Sequence, residues 1–203
     1  MQVSESLEEA WGIFKRHTGA LVAAAFALML TQAVANAILS KSASVALSFM
    51  LSLLLGGLVM GGQMNVARIA ARGQEPTLKD AFAPFTARQG DYLLVGLAVG
   101  AGSLLCGIGV IVTGFLFLFA PLLVVDGEDF KGALRESKNL TVDHLGDLMG
   151  LFLVVIALNV LGVITFIGWL ATVPITSLMV VRAYERLRVP HVLPAGEAPA
   201  SGA

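Results

Sequence analysis

Cysteine is almost absent from this chain: of 203 residues only Cys106 is one, and it sits inside a hydrophobic run. An intrachain disulfide and a thiolate metal cage are thereby excluded, and Cys106 reads as a small packing residue. Charge is scarce as well, at 13% of residues with a net of -1. That leaves no basic field for nucleic acid, because the Lys and Arg residues are interleaved with acids rather than clustered. No Ser-His-Asp, Cys-His or zinc-protease pattern occurs, and Gly107-Ile108-Gly109 lacks the Lys-Ser/Thr of a phosphate loop. The expectation is a protein that is not an enzyme and needs no cofactor. Asp143, His144 and Asp147 share a helical face, but a solvated helix start that favours acids explains them more simply than a metal does.

What the chain has in excess is apolar surface. A hydrophobic fraction of 57% and a mean hydropathy of +0.84 exceed what the core of a soluble domain needs, and the apolar residues are gathered into blocks. Crossing about 30 Å of hydrocarbon takes about 20 apolar residues in a helix. Candidate spans are 19–39, 44–65, 91–106, 109–126, 145–164 and 169–187. The third and fourth are short, and a tight hairpin at Cys106-Gly107-Ile108-Gly109 separates them. Passed back and forth as three hairpins, these spans put every Lys and Arg except Lys41, and every Asp and Glu, on the side of the N-terminus. Cytoplasmic loops retain Lys and Arg, so both termini are expected to be cytoplasmic. Lys15 and Arg16 before an apolar run, with Ala33-Val34-Ala35 beyond it, imitate a signal peptide. The acidic segment Glu5 to Glu9 ahead of the basic pair, and the continuation of the run to Leu39, argue for a retained span.

An amphipathic segment precedes each hairpin. Trp11 and Phe14 lie on the apolar face of the first, Phe82 and Phe85 on that of the second, and Phe130 and Leu134 on that of the third. These six residues are the expected anchors of three helices in the cytoplasmic interface. Ser6 with Glu9 reads as a capping box for the first helix, and Thr77 as the cap of the second, which Pro84 limits. The chain thus reads as an all-α integral membrane protein of six transmembrane helices in three pseudo-repeats, 3–72, 77–126 and 128–188, with Ala10, Ala81 and Ala133 in register. Residues 1–188 form one membrane domain, and the Pro-, Ala- and Gly-rich 189–203 a disordered cytoplasmic tail. Trp11, Tyr92 and Tyr184 fall at the expected cytoplasmic interface and Trp169 at the outer one.

Polar groups inside the spans are few: Gln32, Asn36 and Asn159, with scattered Ser and Thr. Two readings stand, a polar path between helices or interhelical hydrogen bonds worth about 1 kcal/mol or less each. No ionisable side chain sits at mid-membrane, which disfavours proton-coupled transport. Pro121 and Pro174 occupy similar places in the last spans of the second and third repeats. Matched interruptions can mark a transporter's site, and they can also be kinks made good locally. Small residues four apart, such as Gly57 with Gly61 and Gly96 with Gly100, allow close helix approach.

From Phe119 to Thr141 the chain reads Phe-Ala-Pro-Leu-Leu-Val-Val-Asp-Gly-Glu-Asp-Phe-Lys-Gly-Ala-Leu-Arg-Glu-Ser-Lys-Asn-Leu-Thr. A short span with a central proline, an acidic turn and an Ala-Leu-x-x-Ser interfacial helix resembles the membrane domain fused to some bacterial glycerophosphodiester phosphodiesterases, and its stand-alone six-span relatives. The ending Ala183-Tyr184-Glu185-Arg186-Leu187 is similar too. In the fused proteins the chemistry belongs to a separate soluble domain that this sequence does not contain, so no catalytic residue carries over. The resemblance implies a protein of the bacterial cytoplasmic (inner) membrane. The expected function is a non-catalytic module that organises lipids and partner proteins or serves as an accessory subunit; the alternative is a transporter or channel for a small neutral or amphipathic solute.

Overall fold

The computed structural model describes residues 3–42, 44–102, 108–165 and 168–192, and among these there is no strand. The helices are α1 (Val3–Arg16), α2 (Thr18–Ser42), α3 (Val45–Ala71), α4 (Leu78–Phe82) continued by a 3-10 turn over Ala83–Phe85, and α5 (Gln89–Ala101). They continue with α6 (Ile108–Leu116), α7 (Ala120–Val125), α8 (Phe130–Asp143), α9 (Leu145–Thr165) and α10 (Trp169–Val192). Three of them are apolar and long enough to cross a membrane, over Thr18–Lys41, Val45–Ala71 and Leu145–Ile164. Cys106 and Gly107 of the expected hairpin lie outside the described residues, as does most of the expected tail. The part of that tail that is described extends α10 to Val192.

At the centre stands α10. From Val173 to Val181 every residue is buried, the pattern of a helix enclosed on all sides rather than on one stripe, and α1, α2, α3 and α9 pack around it. Its apolar half ends at Val181, and Arg182, Glu185, Arg186 and Arg188 occupy the last turns. Alongside, α3 and α5 cross at glycine: a Cβ added at Gly57 would overlap the backbone of Tyr92 and Gly96, and one at Gly96 the backbone of Leu53 and Gly57. Removing those side chains is what lets the two backbones touch.

The expected fourth span is not one helix. It breaks at Phe117–Phe119 between α6 and α7, because Pro121 has no N–H to offer and its ring collides with the carbonyl four residues back. The backbone groups left unpaired are met by α8. Ser137 Oγ donates to Leu116 O at 3.0 Å and accepts from the Phe119 N–H at 3.2 Å, while Thr141 Oγ1 donates to Phe115 O at 3.4 Å. A break in buried backbone survives where protein groups replace the lost bonds. By contrast α10 runs unbroken through Pro174.

Several local readings change. Helix α1 starts at Val3, so Ser6 is not its cap; it is an interior, fully buried residue. The cap of α4 does form, with the Thr77 N–H donating to Asp80 Oδ2 at 2.8 Å. Tyr92 and Tyr184, read as residues of the headgroup belt, are both buried in the core, whereas Trp11 and Trp169 are exposed.

Candidate functional site

The charged ends of α3, α7 and α10 and the middle of α1 meet in one cleft of about 710 Å³, lined by Glu9, Arg68, Arg72, Leu122, Asp126, Val181, Arg182, Tyr184, Glu185, Arg186 and Arg188. Its keystone is Asp126, planted where α7 ends. Gly127 takes a φ of +105°, open to glycine at no steric cost, and the chain turns with the Gly127 N–H donating to Val124 O at 3.1 Å and the Glu128 N–H to Leu123 O at 3.0 Å. The Asp126 side chain is thereby drawn inward until it is only 8% exposed.

A buried carboxylate persists only when its charge and lone pairs are met. Arg68, from the last turn of α3, pairs with Asp126 Oδ1. Arg188 of α10 pairs with Oδ2, to which the Tyr184 O–H also donates. Arg188 in turn donates to Tyr184 Oη at 2.6 Å. Three segments distant in sequence are thus tied through one side chain.

The second half of the cleft is a clamp between α1 and α10. Glu5 and Glu9 are one turn apart on α1 and so face the same way. Arg186 donates to Glu9 Oε1 at 2.7 Å and to Glu5 Oε2 at 3.4 Å. Arg182 donates from Nη1 to Glu185 Oε2 at 3.0 Å, but its buried Nε has no hydrogen-bond partner, the Glu9 carboxylate lying 3.9 Å away. Arg72, one turn beyond Arg68, is exposed at the lip.

None of the residues expected from sequence to form a site lines this cleft. Gln32 donates to Ser52 Oγ at 3.3 Å and to Asn36 Oδ1 at 3.4 Å, bridging α2 and α3. Asn159 donates to Val155 O at 2.8 Å and to Thr176 Oγ1 at 3.4 Å, bridging α9 and α10. The two groups are therefore not brought together into one path. Pro121 is buried at the break, and Pro174 borders a void of about 10 Å³, room for about one water molecule. Of the six expected anchors, Trp11 is 47% exposed and Phe14 is buried beneath it. Phe82, Phe85, Phe130 and Leu134 are half-buried against the core. Trp11 also lines a shallow apolar groove with Leu7, Leu158 and Ile175.

The cleft residues were visible in sequence only as charges gathered at one end. The acidic turn holding Asp126 and the basic ending of α10 were each conspicuous, but which charges meet depends on how α3, α7 and α10 pack. Compared with protein families, curated proteins and solved structures, the chain matches none of them.

Proposed function

We propose that this chain is a non-catalytic module of the bacterial cytoplasmic membrane that organises lipids and partner proteins, with six spans, and with both termini and the arginine cleft on the cytoplasmic side. The observation that carries the reading is the division of its surface. Exposed apolar side chains run along α2 (Phe26, Leu30, Val34, Ile38) and α9 (Leu153, Val160, Leu161, Ile164), as a lipid-facing wall requires. The charges of α1, α3, α7 and α10 gather at one end, most of them paired with one another. Charges committed to holding helices together build a rigid cytoplasmic face, which suits a platform better than a reaction centre.

The proposed threefold repeat is supported by Ala10, Ala81 and Ala133, in register in sequence and each fully buried. Kinship with the membrane domain of the glycerophosphodiester phosphodiesterases is part of the proposal, and rests on the Phe119 to Thr141 stretch. Native mass spectrometry of protein extracted gently from its own membrane tests the function. A stoichiometric protein partner or retained lipid is expected. A bare chain that conducts a neutral solute across proteoliposomes would overturn the proposal in favour of transport.

A further inference from the structure

The cleft is lined by five arginines and three carboxylates. Asp126 is engaged by Arg68 and Arg188, Glu185 by Arg182, and Glu9 by Arg186 and, at 3.9 Å, by Arg182, while Glu5 and Glu136 from outside the lining offset Arg186 and Arg188. The cation left over is Arg72, which makes no ion pair among the described residues and stands exposed at the lip, and Arg182 keeps a buried Nε–H without a hydrogen-bond acceptor. Both are guanidinium groups, whose planar fork matches the oxygens of a phosphate.

We infer that the cleft binds the phosphate-bearing headgroup of an anionic phospholipid, with Arg72 and Arg182 as its principal contacts. This rests on the proposed role as a lipid organiser and names the lipid class and the place. One feature favours a lipid headgroup over a free phosphate, which shares the same chemistry. Arg68 and Arg72 close one of the three long apolar helices, Val45–Ala71, the level at which headgroups lie. A volume of about 710 Å³ is of the size of small-molecule sites.

The test uses the full-length protein, stripped of lipid in neutral detergent and titrated with phosphatidylglycerol, phosphatidylcholine or inorganic phosphate while bound lipid is counted by native mass spectrometry. One saturable phosphatidylglycerol site is expected, at least about tenfold tighter than for phosphatidylcholine and weakened by salt. Arg72→Gln should weaken it about fivefold without altering thermal unfolding, since no ion pair is lost, and Arg72→Lys should restore part of the affinity. Arg182→Gln should weaken it likewise. Equal affinity for the two lipids, or binding indifferent to both arginine variants, overturns the inference. So does phosphate that displaces the lipid at equal strength, which would assign the cleft to a soluble phosphate ester. Because binding in detergent requires neither a partner nor a particular orientation, its failure leaves the proposed module standing, whereas a bare solute-conducting chain removes the module itself.

Discussion

Arg68 and Asp126 form an ion pair whose side chains are only 15% and 8% exposed, and it locks the end of α3 to the end of α7. Arg188 and Tyr184 close on the same carboxylate from α10. Removing one member of a buried charge cluster strands the others, which costs more than the cluster contributes as a whole. Asp126→Asn is therefore expected to destabilise the protein by about 3 kcal/mol. Glu5 is 58% exposed, so Glu5→Gln should cost less than about 0.5 kcal/mol. Thermal unfolding in detergent separates the two, and equal melting temperatures would show that Asp126 holds nothing.

The α3–α5 crossing makes a steric prediction. A side chain at Gly57 or Gly96 would overlap the facing backbone, which cannot swing aside as a flexible side chain can. Gly57→Leu and Gly96→Leu should each cost about 3 kcal/mol or more, seen as loss of folded protein after extraction. Gly12 has nothing within 4 Å of an added Cβ and lies inside α1. Gly12→Ala is expected to raise stability by about 0.5 kcal/mol.

Ser137 repairs the break before Pro121 by bonding both sides of it. Ser137→Ala leaves the Phe119 N–H and Leu116 O buried without that partner, at a cost of about 2 kcal/mol. The bonds of Thr141 are long, at 3.4 and 3.5 Å, so Thr141→Val should cost under about 1 kcal/mol. Denaturant titration in mixed micelles ranks the pair; the reverse order would mean that α8 does not carry the break.

Trp11 and Phe14 stack at 5.7 Å yet do different work. Phe14 is part of the core and Trp11 is half outside it. Phe14→Ala should cost about 3 kcal/mol through the cavity it leaves, while Trp11→Ala should leave the melting temperature nearly unchanged. If the two variants melt alike, α1 does not dock on α10 as described.

The all-helical class and the long apolar helices were legible because lipid-facing segments announce themselves by length and hydropathy alone. The glycine crossing was foreshadowed by spacing, since Gly57, Gly61, Gly96 and Gly100 all lie on the faces that meet. The Thr77 cap and the limit set by Pro84 are local chemistry and were read directly. Three things were not legible. An amphipathic stripe says that a face is buried but not in what: Phe14 is part of the protein core, and Phe82 and Phe130 rest half-buried against it. A serine three residues before a glutamate imitates a cap, whereas Ser6 is packed inside α1 and Glu9 reaches Arg186. The cleft itself joins residues from four segments, and no spacing in the sequence encodes that meeting.

A cytoplasmic platform requires α3 to cross the bilayer with its arginine end in the cytoplasm, and cysteine labelling measures that directly. With Cys106→Ser as the background, Lys41→Cys and Glu75→Cys place single thiols beyond opposite ends of α3. A membrane-impermeant maleimide added to intact cells should label the first at once and the second only after the membrane is opened. Labelling of Glu75→Cys from outside, or equal labelling of both from one side, would contradict the account.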